Sequence, residues 1–136
     1  MENVSKHISY IEATYSPTAE KLGINNNPNE EQLKAMKLVA EKCFEPLRLW
    51  YNKPIKVNSF FRSDLLNRAI KGSLTSQHKK GEAIDLDAGS KEENKKLFDY
   101  IKNHLEFDQV INEYDFSWVH VSYSKTKNRK QILIIK

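Results

Sequence analysis

A break at residues 25–28, Asn-Asn-Asn-Pro, precedes the first regular pattern in the chain. Beyond it, apolar residues recur every three or four positions over residues 29–50, which predicts an amphipathic helix, and Asn29 is suited to cap its start. Pro46 lacks the backbone N–H that a helix interior needs, so we expect the helix to bend or end near it. The apolar stripe comprises Leu33, Met36, Ala40, Cys43, Phe44 and Leu47.

Most of the remaining chain alternates apolar and polar positions in short segments, a pattern typical of strands. We predict strands at 54–60, 83–87, 107–113, 118–123 and 130–135, helices at 63–70 and 90–104, and a polar loop at 71–80. The last three strands follow one another with short connections, which predicts an antiparallel meander. Strands and helices do not alternate as βαβ units, so we expect an α+β fold with helices packed on an antiparallel sheet.

The length of 136 residues, 39% of them hydrophobic, suffices for one domain with a core but not for two. Residues 1–28 show no clear period and are expected to form an ordered N-terminal arm, followed by a single domain over residues 29–136. We predict that Cys43 and Trp50 lie in the core. No stretch approaches the roughly 20 apolar residues that cross a bilayer, and the first ten residues show no signal peptide, so we expect a soluble chain without membrane contacts.

The chain carries 22 basic and 18 acidic residues, a net charge of +4, which suits an anionic partner such as a bacterial wall. Acidic residues are interspersed almost everywhere, whereas nucleic-acid binders show denser basic runs with aromatic residues between them. We therefore expect no nucleic-acid partner, and nothing in the pattern suggests more than a monomer. The C-terminal basic cluster consists of Lys125, Lys127, Arg129, Lys130 and Lys136.

A single cysteine excludes an internal disulfide and a cysteine-based metal cluster, so a metal site must use His, Asp or Glu. His78 lies in the predicted loop, seven residues before Asp85, and Gly81 lets the chain turn back so that the two side chains converge. His120 lies on a predicted strand. Two histidines and one aspartate would leave a fourth position of a tetrahedral metal for water, as in catalytic zinc sites. The same spacing also suits a structural histidine–aspartate hydrogen bond.

Two motifs carry a family resemblance. They are Ser76-x-His78-x2-Gly81-x-Ala83-x-Asp85 and, about 35 residues later, Trp118-x-His120. Together they resemble the signature of the M15 zinc peptidases, the D-alanyl-D-alanine carboxypeptidases and L-alanyl-D-glutamate endopeptidases that cut peptidoglycan stem peptides. The resemblance covers roughly residues 16–123. It implies a fold similar to that of hedgehog and the D-Ala-D-Ala peptidases, one Zn²⁺ per chain bound by His78, Asp85 and His120, and a peptidoglycan peptide as the substrate.

The resemblance also implies roles for residues around the metal. Arg62 matches the arginine that these enzymes use near the scissile carbonyl or a substrate carboxylate, although a surface ion pair with Asp64 or Glu82 is the alternative. Ser76 either helps to bind substrate or only caps the turn before the first histidine. Trp118 is expected to form part of the pocket wall.

The general base departs from the family pattern. Several members have Glu or Asp three residues before the last histidine, where this chain has Ser117. We predict that Glu113 is the base, because a four-residue hairpin loop at 114–117 would pair Glu113 with Trp118 and place it diagonally opposite His120. A cross-strand ion pair of Glu113 with a lysine is the alternative. Asp115, within the loop, is the second choice.

These features predict a zinc-dependent peptidase that acts on peptidoglycan stem peptides, of either the carboxypeptidase or the endopeptidase type. The alternative is a wall-binding module on the same fold that has lost catalysis, as Ser117 suggests. Such a bacterial or phage protein would reach the cell wall after release or export and would otherwise be cytoplasmic.

Overall fold

The computed structural model describes residues 3–136 and confirms the α+β class, with a five-stranded mixed sheet. The helices are α1 (Tyr10–Thr14), α2 (Pro17–Leu22), α3 (Glu30–Val39), α4 (Glu45–Tyr51), α5 (Asp64–Ala69) and α6 (Lys91–His104). A π-helical segment (Ala40–Phe44) joins α3 to α4, and a 3₁₀ helix spans Gln77–Lys80. The strands are β1 (Lys56–Ser59), β2 (Ala83–Asp87), β3 (Gln109–Glu113), β4 (Trp118–Ser122) and β5 (Gln131–Ile135). The region predicted as a loop at 71–80 therefore ends in a 3₁₀ helix, which the polar composition did not indicate.

Helix α3, the π-helical segment and α4 together form one continuous helical rod over residues 30–51. This rod continues past Pro46 and is irregular in its middle. The wider π turn comes directly before the proline, and the Glu45 N–H bonds to the Ala40 carbonyl, five residues back. In a regular α-helix the proline ring would clash with the carbonyl four residues earlier, so the π turn lets the helix continue to Tyr51. The predicted irregularity is confirmed, but it is a change of helix type within the rod.

The two predicted core residues on this rod differ in outcome. Cys43 is 0% exposed and lies in the core cluster, as predicted. Trp50 is 46% exposed, so its prediction is wrong. Its ring stacks on Tyr100 of α6 at 4.2 Å between centroids, which covers one face of the indole near the helix end without placing it in the core.

The sheet has the order β1-β2-β4-β3-β5, in which only the β3–β5 pair is parallel. The predicted meander is therefore wrong for β5. Strand β4 already pairs with β2 on one edge and β3 on the other, so β5 joins the free edge of β3. The connection at 123–130 passes the start of β3, where the Asp108 carboxylate accepts hydrogen bonds from Arg129 Nε and Nη2 at 2.8 Å.

The N-terminal segment packs on the rest of the chain. Val4, Ile8 and Ala13 belong to the hydrophobic core, and the Asn26 side chain donates to the Thr14 and Phe61 carbonyls. Residues 1 and 2 of the predicted arm lie outside the described residues.

Alternation along the central strands separates a core face from a functional face. Ile84, Leu86, Val110, Val119 and Val121 are buried in the core, on the side where α3 and α6 contact the sheet. Their neighbours Asp85, Glu113 and His120 point to the opposite face. Within residues 3–136, no helix combines the length and apolar character that a bilayer span requires.

Candidate active site

Three side chains with metal-binding atoms meet on the functional face of the sheet. Asp85 of β2 and His120 of β4 are direct cross-strand partners, and His78 reaches them from the 3₁₀ helix. Gly81 ends that helix with a φ of 74°, and a Cβ there would lie 2.5 Å from the Gln32 carbonyl oxygen. The turn predicted from the glycine therefore exists, and the close approach to α3 requires the glycine.

The ligand atoms of this triad all lie within 4.8 Å of one another. Asp85 Oδ2 is 3.2 Å from His78 Nε2, and Asp85 Oδ1 is 3.0 Å from His120 Nδ1. The triad is buried, and the two imidazole rings pack edge to face with 5.2 Å between their centroids. This compact arrangement matches the set of ligands that the resemblance implies.

The ring orientation of His78 is fixed by its neighbour. Because a carbonyl oxygen can only accept, His78 Nδ1 donates to the Phe60 carbonyl at 2.7 Å, and Nε2 is the ring nitrogen that faces the other two side chains of the triad. Although Nε2 is buried, it has no hydrogen-bond partner within residues 3–136. A buried ring nitrogen that faces a carboxylate and a second histidine is placed to bind a metal ion, and two nitrogens with one oxygen suit zinc.

The Asp85 carboxylate is held in its charged form. Burial alone would raise its pKa, but the contacts with His78 and His120 outweigh burial and keep the pKa well below its usual range. An ionised carboxylate at neutral pH is the form that binds a metal cation.

The hairpin β3–β4 has the predicted register. Glu113 pairs with Trp118 and Ile111 pairs with His120, across a loop in which Tyr114 to Phe116 all have positive φ angles of 51°, 54° and 59°. Trp118 Nε1 donates to Glu113 Oε2 at 3.1 Å, and the same oxygen is 3.9 Å from His120 Nδ1. Glu113 is thus the carboxylate next to the triad.

The surroundings of Glu113 favour a base that can also carry a proton. Burial, and next the negative charge of Asp85, raise the pKa of Glu113, while His120 and the Trp118 hydrogen bond act in the opposite direction. A carboxylate with a raised pKa accepts a proton more readily near neutral pH than a solvated one.

The other loop residues considered as bases are placed differently. Asp115 points to solvent, with its side chain 76% exposed, and binds Lys91 Nζ at 2.7 Å. Ser117 Oγ donates to the Tyr114 carbonyl at 2.6 Å and so stabilises the turn. Of the two candidate carboxylates, the structure brings only Glu113 to the triad.

Arg62 lies at the edge of the same site. Its backbone N–H donates to the His78 carbonyl, and its guanidinium is partly buried. Burial lowers its pKa, and the carboxylates of Asp85 and Glu113 act against that shift. Neither alternative ion pair is seen, since Asp64 pairs with Lys79 and Glu82 accepts a hydrogen bond from Gln77.

A cavity of about 920 Å³ opens onto the triad. Arg62, Ser76, Glu113 and Trp118 contribute to its wall along with the three residues of the triad. Ser76 also caps the 3₁₀ helix, since its Oγ accepts from the His78 N–H at 3.2 Å. Both roles considered for this serine are therefore compatible with its position.

Sequence reasoning missed several contributors to the site. No side-chain pattern points to the Phe60 carbonyl, because any residue supplies a backbone oxygen. Gln77 links the 3₁₀ helix that carries His78 to Asp108, because its Nε2 donates to Asp108 Oδ2 at 3.0 Å. Asn67, on the buried side of α5 next to Leu66, bonds to Arg62, and its polarity at a buried helical position was the available signal.

The fold and the site define a class: an open triad of metal ligands, with a partly buried carboxylate and an arginine in one cavity, is typical of a metal-dependent hydrolase. The model of the family described as Peptidase M15 matches residues 6–122, and the chain belongs to that family. At the family level it is a zinc-dependent metallopeptidase. A comparison with curated proteins finds no match to this chain.

Proposed function

We propose that the chain hydrolyses bonds of peptidoglycan stem peptides, as a D-Ala-D-Ala carboxypeptidase or an L-Ala-D-Glu endopeptidase. One observation carries the proposal: the buried triad, with the unpaired Nε2 of His78, opens into a cavity that also holds Glu113 and Arg62. Family membership supports the peptidase chemistry.

The metal would be bound by His78 Nε2, a carboxylate oxygen of Asp85 and His120 Nδ1. Zinc bound there supplies a Lewis acid that polarises a carbonyl group and acidifies water. The hydrogen bond from His78 Nδ1 to the Phe60 carbonyl orients the first of these ligands.

Glu113 takes the proton from the attacking water and then returns it to the leaving amine. Trp118 Nε1 holds one oxygen of this carboxylate. The other oxygen remains available for proton transfer, and the raised pKa of Glu113 favours both acceptance and return of the proton.

Arg62 provides a cation in the cavity wall. It either stabilises the negative charge that develops on the carbonyl oxygen or binds a carboxylate of the substrate. Ser76 and Trp118 contribute substrate contacts from the adjoining wall. The net charge of +4 favours an anionic cell wall, which the protein would reach after release or export.

The first test measures zinc by mass spectrometry in untagged protein. We expect about one zinc per chain in the wild type, because a site with three protein ligands binds one ion. We expect this zinc to be lost in His120→Ala. His104→Ala is the matched control, because His104 is an exposed histidine on α6 that does not line the cavity. Absence of zinc from the wild type after incubation with the metal would contradict the proposal.

The second test incubates the zinc-loaded protein with purified peptidoglycan and analyses the products. Free D-alanine would identify a carboxypeptidase, and a new N-terminal glutamate would identify an endopeptidase. Bound zinc without either product would favour a non-catalytic wall-binding module, the alternative suggested by Ser117 at the usual position of the base.

A further inference from the structure

Asn67 has a buried side-chain amide that contacts both Arg62 and the loop at residues 70–76, which leads into the 3₁₀ helix with His78. It is 1% exposed, on the inner side of α5. Its Oδ1 accepts a hydrogen bond from Arg62 Nη1 at 3.2 Å, and its Nδ2 donates to the Ser73 carbonyl at 2.9 Å. The Gly72 N–H donates to the Asn67 carbonyl at 2.8 Å, which fixes the start of the same loop.

Gly72 is the neighbour that makes this arrangement possible. A Cβ at position 72 would lie 2.1 Å from Asn67 Oδ1 and 3.2 Å from Arg62 Nη1. The first distance is far below van der Waals contact, so any side chain at this position would displace the amide. The absence of a side chain therefore allows Asn67 and Arg62 to meet under the loop.

The neutral amide matters for the charge of the site. The arginine side chain is long and flexible, and the carboxylates of Asp85 and Glu113 attract the guanidinium of Arg62 toward the triad. An amide oxygen fixes one nitrogen of the guanidinium without cancelling its positive charge, whereas an aspartate in the same place would neutralise it. The remaining N–H groups of Arg62 stay available to an anionic group of a substrate.

We propose that Asn67 is a positioning residue for Arg62: it orients the guanidinium in the cavity wall and joins that orientation to the loop that carries Ser76 and His78. The kinetic part of this inference rests on the proposed peptidase function, in which Arg62 acts on substrate. The positioning itself is a property of the free protein and is measurable without substrate.

A double-mutant cycle separates positioning from a general structural role. We expect Asn67→Ala to lower kcat/KM about tenfold when Arg62 is present, and to have less than about a twofold effect in an Arg62→Ala background. A structural role would persist in that background. Equal effects of Asn67→Ala in both backgrounds, with zinc content unchanged, would overturn the proposal.

Gly72→Ala provides a second variant if Asn67→Ala does not fold. It removes no hydrogen-bonding group, and we expect it to lower kcat/KM to a similar extent only when Arg62 is present. No effect of Gly72→Ala on a folded, zinc-loaded protein would contradict the close approach on which the proposal depends.

An NMR experiment tests positioning independently of peptidase activity. The ¹⁵N–¹H signal of the Arg62 Nε group is assigned by its absence in Arg62→Ala. We expect it to shift toward the position of mobile arginines in Asn67→Ala, and an unchanged signal would overturn the inference. If the wild type cleaves no peptide but the signal shifts, the proposed function fails and the positioning role stands.

Discussion

At the residue scale, the carboxylates of Glu113 and Asp115 lie only two residues apart but have opposite surroundings. Glu113 lies at the end of β3, where it pairs with Trp118, accepts a hydrogen bond from the indole N–H and lies next to His120. Asp115 lies at the tip of the hairpin loop, in an exposed ion pair with Lys91. Position within the hairpin, and not residue type, decides which of them lies next to the triad.

We predict that Glu113→Gln lowers peptidase activity by about 10²- to 10⁴-fold, because an amide keeps the shape but cannot accept the proton. Zinc content should stay near that of the wild type, since Glu113 is not one of the proposed ligands. The measurement is the initial rate of peptidoglycan digestion at matched zinc occupancy.

Asp115→Asn is the matched control for that variant. We expect wild-type activity, because the loss of an exposed ion pair changes little. A strong loss of activity in Asp115→Asn with normal activity in Glu113→Gln would reverse the assignment of the base.

Trp118→Phe tests the hydrogen bond that holds Glu113. The phenyl ring keeps an aromatic wall but lacks the indole N–H that donates to Oε2 at 3.1 Å. We expect kcat to fall by roughly tenfold, the effect of losing about 1.4 kcal/mol of orientation, with a smaller change in KM. An unchanged kcat would show that the indole only lines the cavity.

At the scale of the secondary-structure elements, one carboxylate, that of Asp108, binds the connection that leads from β4 to β5. Hydrogen bonds from Arg129 lower the pKa of Asp108 to about 2, although burial acts against them. The folded-state pKa is below the value near 4 of an unfolded aspartate. The stabilisation is therefore present above about pH 4 and is lost as the pH falls through about 2.

We predict that Asp108→Asn lowers the free energy of unfolding by about 1 kcal/mol at neutral pH, a value reduced for the solvent exposure of Arg129. The difference from the wild type should shrink steadily as the pH falls from about 4 to 2. Urea unfolding measured at a series of pH values checks this, and a difference that stays unchanged over this range would contradict the linkage.

At the scale of the whole molecule, the N-terminal segment, the helical rod, the sheet and α6 all contribute side chains to one hydrophobic core. Cys43 lies within it and is 0% exposed, and burial raises the pKa of its thiol to about 12. Thiolate formation is therefore suppressed in the folded state, and the thiol becomes reactive only when the core opens.

We expect the native chain to resist a disulfide reagent at pH 8 and to react at one thiol per chain in denaturant, because it has one cysteine. The denaturant midpoint for thiol reactivity should coincide with that for tryptophan fluorescence. Rapid labelling under native conditions would instead show local opening around the π turn. Cys43→Ala, which should not react, is the control.

Much of the fold follows from local patterns. The helices at α3–α4, α5 and α6 and all five strands lie where periodicity and caps predict them. The register of Glu113 with Trp118 follows from a four-residue loop between alternating segments. These features depend on residues close in sequence, so short-range pattern is sufficient to predict them.

The outcome for β5 shows where local pattern ends. Its alternation and short connection are the same for an antiparallel meander and for the parallel pairing observed. The choice depends on β2, which begins 48 residues before β5 and occupies the second edge of β4. The exposure of Trp50 is a similar case, because it depends on the position of the Tyr100 ring on which the indole stacks.

The sequence by itself determined the residue types for a metal site, the strands that carry two of them and the hairpin that presents Glu113. Only the tertiary structure decided that the backbone carbonyl of Phe60 accepts from His78 Nδ1, and that Arg62 bonds to Asn67 beside Gly72. The physical reason is one of range: periodicity encodes which face of an element is buried, whereas the contacts that orient a site join segments that meet only in the folded chain.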